Sequence, residues 1–261
     1  MRTIEEIFCN ESRGVLSLTG GGGKTSLMFQ LARLLVGAGM RVLTTTTTRI
    51  FPPTAEQSEK VFIDRDPELI MRLASACIQT ARHVTATSMR LADSGKLQGF
   101  SPETICTFAE SGLFDWIIVE ADGAAMRPLK APEDHEPVIP SCTTIHVAVA
   151  GLEAVGAELN EKLVFRSGRA GELMELSAGE TITEAALTRL FVNPLGLLKG
   201  APPKARRFIF LNKADDRKRR ESGARIAELL RHSLLPEVAG VVVGQALAGV
   251  CIHSFHPLGG A

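Results

Sequence analysis

The sequence contains no tyrosine, a single tryptophan (Trp116) and no net charge, with 29 Lys plus Arg against 29 Asp plus Glu. Each shortage removes a class of function. Single-stranded nucleic acid is held on stacked aromatic side chains, and this chain has too few to build a platform. A balanced charge gives no broad basic surface for nucleic acid or anionic membrane. No apolar run is long enough to span a bilayer. The N-terminus, Met1 to Glu6, is charged and lacks the apolar stretch of a signal peptide. The five cysteines (Cys9, Cys77, Cys106, Cys142 and Cys251) are scattered without a C-x-x-C pair. They are expected to be reduced thiols, packed as small hydrophobes in a cytoplasmic protein. No repeat occurs at a solenoid period, and low complexity is confined to Thr44 to Thr48.

The chain does hold a core's worth of apolar residues, 45% of 261. Its organising stretch runs from Val15 to Met28. A short apolar segment leads into Thr19-Gly20-Gly21-Gly22-Gly23-Lys24-Thr25-Ser26, and an apolar-periodic run follows. That order predicts a buried strand, a glycine loop and a helix start. Glycines admit the dihedrals that turn successive N–H groups inward around a phosphate, and the helix adds its positive end. Lys24 is expected to reach the outer phosphates, with the Thr25 hydroxyl on a bridging Mg2+. Leu18 occupies the first glycine position of the G-x-x-x-x-G-K-[ST] pattern, and Gly20 to Gly23 supply the missing freedom.

Helical spacing continues from Thr25 to Ala38. A second strand opens at Arg41 and runs into Thr44 to Thr48 and Arg49, which places Thr46 and Arg49 at the ligand-binding edge of the sheet. Strands are expected at Lys60–Ile63, Val84–Thr87, Thr144–Ala150 and Val238–Val243. Helices are expected at Asp66–Thr80, Ser101–Gly112, Thr183–Phe191 and Asp216–His232. His146 reads as a satisfied core histidine, and His253 and His256 lack partners for a metal. Arg166 and Arg169 are available for phosphate.

The segment Asp115 to Gly123 is a continuous apolar run ending in acids. Such a run is a central parallel strand that delivers Glu120 and Asp122 at its carboxyl end. Beside a P-loop, acids there hold Mg2+ or orient the attacking water. Met126 to Pro140 is a long, charged, proline-punctuated loop, read as covering the site and binding substrate or partner through Arg127, Lys130, His135 and Glu136. His135 is expected at the surface before it is expected on a metal. A further strand delivers Asn212-Lys213-Ala214-Asp215. In that pattern the aspartate accepts from the ring N–H and amine of guanine, and the lysine stem lies along the base. GTP is therefore favoured, with ATP as the alternative. The whole reads as one domain, 1–261: an α/β P-loop NTPase with a mainly parallel sheet covered by helices on both faces.

Leu16 to Met28, Thr44 to Ile50, Val119 to Pro140, Gly196 to Gly200 and Leu211 to Asp215 together resemble the YqeC family, described as selenium cofactor biosynthesis or selenium-dependent molybdenum hydroxylase accessory proteins. The stretch from Glu120 to Pro140 is the most specific part. The resemblance implies a nucleotide-driven role in maturing such a hydroxylase or its cofactor. The architecture is also similar to that of P-loop GTPases that mature metalloenzymes, which implies a homodimer. The chain lacks the histidine-rich tail and cysteine-proline motif of their metal-delivering members. Three activities remain open: slow Mg2+-dependent hydrolysis, a nucleotide-switched binding module without turnover, and a small-molecule kinase or cofactor transferase. The last needs an acceptor at Arg127 to Glu136, and no arginine-rich lid is evident.

Overall fold

The computed structural model describes residues 3–233, 238–247 and 249–259. Met1 and Arg2, part of the charged N-terminus noted above, lie outside the described residues. Among the described residues, nine strands form one sheet: β1 (Gly14–Gly20), β2 (Val42–Thr46), β3 (Val61–Ile63), β4 (His83–Thr87), β5 (Trp116–Glu120), β6 (Ile145–Gly151), β7 (Arg206–Asn212), β8 (Val238–Gln245) and β9 (Cys251–Pro257). Their spatial order is β9-β8-β7-β6-β1-β5-β2-β4-β3, and every neighbouring pair is parallel except β8 with β9.

The strand sequences explain why the sheet is buried on both faces. Leu16 and Leu18 of β1 point to one side, where Ile118, Val147 and Phe210 join them under helix α2 (Lys24–Gly37) and the short α1 (Ile4–Phe8). Val15 points to the other side, with Ile117 and Val119, against α3 (Pro67–Ala81) and α4 (Pro102–Glu110). Farther along that face Ala148, Ile209 and Val243 pack against α5 (Ser167–Met174), α6 (Glu184–Val192) and α7 (Arg217–Arg231). Each such aliphatic side chain contributes about 1.5–3 kcal/mol by leaving water. The helix starts follow their caps. Asp66, Ser101, Thr183 and Asp216 each accept an N–H of the first turn, and Pro67 and Pro102 occupy the positions where a missing N–H costs nothing.

Several elements depart from the expected set, among them the short α1, for which no helix is expected. Helix α5 was hidden because its sequence, Ser-Gly-Arg-Ala-Gly-Glu-Leu-Met, carries two glycines and follows Arg166 in a left-handed conformation. The antiparallel β9 is an edge strand with mostly half-exposed residues, so it lacks the apolar run that marks the others. The loop at Met126 to Pro140 is not free of structure: Leu129–Lys130 pairs in parallel with Val164–Phe165, and both residues of the first pair are buried. The threonine run leaves the sheet after Thr46, and Arg49–Ile50 joins Leu97–Gln98 and Met89–Arg90 in a separate three-stranded sheet.

The expectation of five free thiols is also corrected. Cys106 of α4 and Cys142, ahead of β6, form a disulfide with Cα atoms 5.5 Å apart. Their separation of 36 residues hides the pairing in the sequence, and packing of α4 beside the entry to β6 creates it. Cys9, Cys77 and Cys251 are free. Among the described residues, no helix is long and apolar enough to cross a membrane.

Candidate functional site

Gly20 ends β1, and the chain then turns through Gly21, Gly22 and Gly23 into α2. Leu18, the residue standing where the pattern has glycine, is still within the strand, so its side chain needs no unusual backbone there. The required freedom begins two residues later. Gly22 and Gly23 adopt φ of 77° and 121°, and a Cβ at Gly22 would lie 2.4 Å from the Gly151 nitrogen. At the start of α2, Gly23 offers no side-chain cap. The first N–H groups of this helix therefore have neither an intrahelical acceptor nor a capping side chain, beside the buried Lys24.

Direct pairing of β1 with β5 brings the acids to this loop. Leu18 lies in register with Glu120, which puts Glu120 and Asp122 against the glycine turn. The Thr25 hydroxyl donates to Glu120 Oε2 at 2.6 Å. Gly20 N–H donates to Asp122 Oδ2 at 3.0 Å. Lys24 Nζ donates to the Gly20 carbonyl at 2.6 Å and stands 3.2 Å from Asp122 Oδ1 and 3.8 Å from Glu120 Oε1. The contact to Oδ1 is an ion pair without hydrogen-bond alignment, so that oxygen retains its accepting capacity. Burial by itself would lower the Lys24 ammonium, but Asp122 and Glu120 overcome it and hold it above its ordinary value. Burial raises the Glu120 carboxyl, against the opposing pull of Lys24 and Thr25.

The charged loop lies directly on the glycine turn. Gly22 N–H donates to the Arg127 carbonyl at 3.0 Å, and Gly151 N–H to the Pro128 carbonyl at 2.9 Å. Its charged residues, expected to bind substrate or partner, are in part turned inward onto one another. Lys130 is fully buried, donating to the Gly123 carbonyl at 2.9 Å and to Glu136 Oε2 at 2.7 Å, with Asp122 Oδ2 at 3.1 Å. Arg166 reaches the same Glu136 oxygen at 2.5 Å. These two cations draw the Glu136 carboxyl down to about 2, although burial pulls the other way. Arg166 and Arg169 are thus committed to Glu133, Asp134 and Glu136 rather than standing open. Arg127 packs its guanidinium over Phe165, and His135 is exposed.

Two more expectations are corrected. The Thr46 hydroxyl is buried and donates to the Glu120 carbonyl at 2.7 Å, so it supports the acid instead of facing a ligand. Arg49 is exposed in the small sheet and donates to Gln98, a consequence of the chain leaving β2 at Thr46. His146 is buried as expected, with Nε2 2.7 Å from Thr19 Oγ1, but it is only half satisfied, because its buried Nδ1 has no hydrogen-bond partner among the described residues; burial lowers it to about 4.

The end of β7 meets the same loop. Asn212 Nδ2 donates to the Gly22 carbonyl at 2.7 Å, while Asn212 Oδ1 is a buried acceptor with no hydrogen-bond partner among the described residues. Lys213 forms an ion pair with Glu153, a residue the sequence reading did not single out. Asp215 is exposed and accepts from Arg219 one turn along α7, at 3.1 Å. The structure therefore gathers Gly20 to Thr25, Glu120, Asp122 and Asn212 at one place, with Ser26 in the first helical turn. It leaves Arg49 and His135 outside that cluster. Among the described residues, no group of three or more His, Cys, Asp or Glu is set to hold a metal ion.

A mainly parallel sheet, a glycine turn from its central strand into a helix beginning Lys-Thr, and acids on the adjoining strand define a P-loop nucleotide-binding α/β fold. The YqeC family model, described as YqeC protein, matches residues 16–168, and the chain belongs to this family. The chain is 38% identical to YqeC of Escherichia coli (strain K12) over 199 residues, which is 76% of this chain and 75% of that one. Among solved structures it is similar to the signal recognition particle 54 kDa protein of Aeropyrum pernix K1 in complex with GDP (16% identity, 93% of this chain, 44% of that chain, TM-score 0.39). It is also similar to FtsY of Mycoplasma mycoides (12% identity, 95% and 66%, TM-score 0.42) and to the MinD cell division protein of Aquifex aeolicus (15% identity, 88% and 81%, TM-score 0.37). The chain thus spans less than two thirds of the first two of these structures.

Proposed function

We propose that the chain binds a magnesium-bound nucleoside triphosphate on Gly20 to Ser26 and hydrolyses it slowly. GTP is favoured over ATP, and hydrolysis is coupled to maturation of a selenium-dependent molybdenum hydroxylase or its cofactor. The observation that carries the nucleotide reading is the start of α2: an uncapped turn with buried Lys24 and with Thr25 bonded to Glu120. Thr25 and Glu120 are hard oxygen donors 2.6 Å apart, and Asp122 lies beside the same loop. This set fits Mg2+, which takes one or two protein oxygens and completes its shell with water and phosphate. Bound there, the ion would neutralise charge developing between the outer phosphates.

The residues of the chain divide the remaining work. Lys24 exchanges the Gly20 carbonyl for phosphate oxygens. The N–H groups of the first turn donate to the same anion, and Asp122 Oδ1 is then free to accept a hydrogen bond from the attacking water and orient it. Guanine reading by Asp215 requires release of Arg219. That release is cheap, because an exposed pair of this spacing is worth about 0–1 kcal/mol. The bond from Asn212 to Gly22 supports this reading by tying the tetrapeptide to the phosphate loop. The hydroxylase connection rests on the family resemblance alone.

A second reading, a nucleotide-switched binding module without turnover, draws on one contact. Phosphate would compete with the Arg127 carbonyl for Gly22 N–H, so ligand binding alone would displace the loop. Phosphate release separates the two. Hydrolysis predicts steady release from Mg·GTP by the parent, with Glu120→Ala and Asp122→Ala losing turnover more than affinity. Tight binding with no release, with or without the partner, leaves the switch.

A further inference from the structure

Lys130 is a lysine with no surface. It sits in a two-residue strand held by Val164–Phe165, fully buried, with three oxygens around its ammonium: Gly123 carbonyl, Glu136 Oε2 and Asp122 Oδ2. Arg166 donates to the same Glu136 oxygen, and its guanidinium lies over the Phe165 ring, 4.5 Å from the centroid. The two oxygens of Asp122 therefore face two different lysines, Lys24 at Oδ1 and Lys130 at Oδ2. A buried ammonium is expensive, and a methionine would fill the same space without that cost. Core packing alone does not account for a lysine here.

The two lysines have different futures when a ligand arrives. Lys24 belongs to the phosphate loop, and under the proposed function it turns toward the triphosphate. Lys130 belongs to the loop that covers the site, and its carbonyl and carboxylate partners stay with it. We infer that Lys130 is a positioning residue for the phosphoryl chemistry: it holds the Asp122 carboxylate in place and charge-compensated after Lys24 has left for the nucleotide. Glu136 and Arg166 extend that support by fixing the ammonium of Lys130 itself. The inference rests on the reading of Asp122 as the group that orients water.

The test compares the parent with Lys130→Met, Lys130→Arg and the double variant Lys130→Met/Glu136→Gln, which removes the charge of one of the two carboxylates that lose a cationic partner in the single change. Single-turnover hydrolysis of Mg·GTP and calorimetric Kd are read on each folded protein. Loss of Lys130 is expected to slow turnover about 10- to 100-fold, the usual effect of removing an outer partner of a site. Kd should stay within about threefold, and Lys130→Arg should recover part of the rate, because arginine keeps the charge with altered geometry. Parent-like turnover in Lys130→Met overturns the inference, as does equal loss of rate and affinity, or an arginine variant no faster than the methionine one. If neither methionine variant folds, Lys130 is a structural residue and the inference is likewise overturned. A parent that binds nucleotide without hydrolysing it refutes the hydrolytic reading and overturns the inference with it, and is told apart from failure of the inference alone, in which the parent hydrolyses and Lys130→Met keeps its rate.

Discussion

Asp122 is where the charges of the site balance. Its two oxygens face two lysines, and Gly20 N–H donates to one of them. Removing the carboxylate leaves each buried ammonium with a single carboxylate, Glu120 for Lys24 and Glu136 for Lys130. Asp122→Ala is therefore expected to lower unfolding free energy by about 1.5–3 kcal/mol, measured by urea denaturation. A loss below about 1 kcal/mol would mean that the pairing contributes no more than an exposed ion pair. Glu136 gives a separate signature in acid. Its folded value of about 2 lies below the ordinary 4.5, so its stabilisation is complete above pH 4.5 and drains away as the pH falls toward 2. Glu136→Gln should flatten stability against pH within that window, and denaturation curves of equal slope with pH would contradict the assignment. At this scale the acids were legible because they end an apolar strand. Lys130 was legible only as a residue of the loop expected to bind substrate or partner, since its partner Asp122 is eight residues earlier and the pairing exists only once the loop folds back.

Among the elements, the glycine turn carries the sharpest sequence signal and the least tolerance. A Cβ at Gly22 meets backbone of Gly151 in a left-handed conformation, whereas one at Gly37, the last residue of α2, meets nothing within 4 Å. Gly37→Ala is expected to raise stability by roughly 0.5–1 kcal/mol, and Gly22→Ala to lower it. Thermal melts of the two variants should move in opposite directions; a Gly22→Ala melt at or above the parent's would contradict the geometry. The turn after β7 is tested differently. Asp215→Asn should weaken GTP binding by a few kcal/mol and favour xanthine nucleotide relatively, because asparagine offers one donor and one acceptor where guanine needs two acceptors. An unchanged ranking of GTP, ATP and XTP would return Asp215 to its helix-start pairing with Arg219. Strands with continuous apolar runs and helices with caps were readable in the sequence. Helix α5 and strand β9 were not, because glycine content and edge exposure erase the periodic pattern that a core-facing element displays.

For the whole molecule, strand order does what no local pattern announces. The strand that ends in acids returns to lie directly against the strand that feeds the glycine turn, although nearly a hundred residues separate them, and β7 brings Asn212 to the same turn from the other side. The members of this cluster are legible in the sequence because Gly20 to Thr25 carry the glycine-lysine-threonine pattern and Glu120, Asp122 and Asn212 stand at the ends of apolar runs. The contacts among them come from the parallel register, which no single segment encodes. The same folding commits Arg166, Arg169 and Thr46 to internal partners and takes Arg49 away into another sheet. The central claim is that this junction is a nucleotide phosphate site built on Lys24. Titration calorimetry of the parent and of Lys24→Ala with Mg·GTP and Mg·ATP tests it most directly. The account predicts saturable binding by the parent, with GTP preferred, and loss of triphosphate binding in a Lys24→Ala protein that still melts cooperatively. Triphosphate binding as tight in Lys24→Ala as in the parent would contradict it.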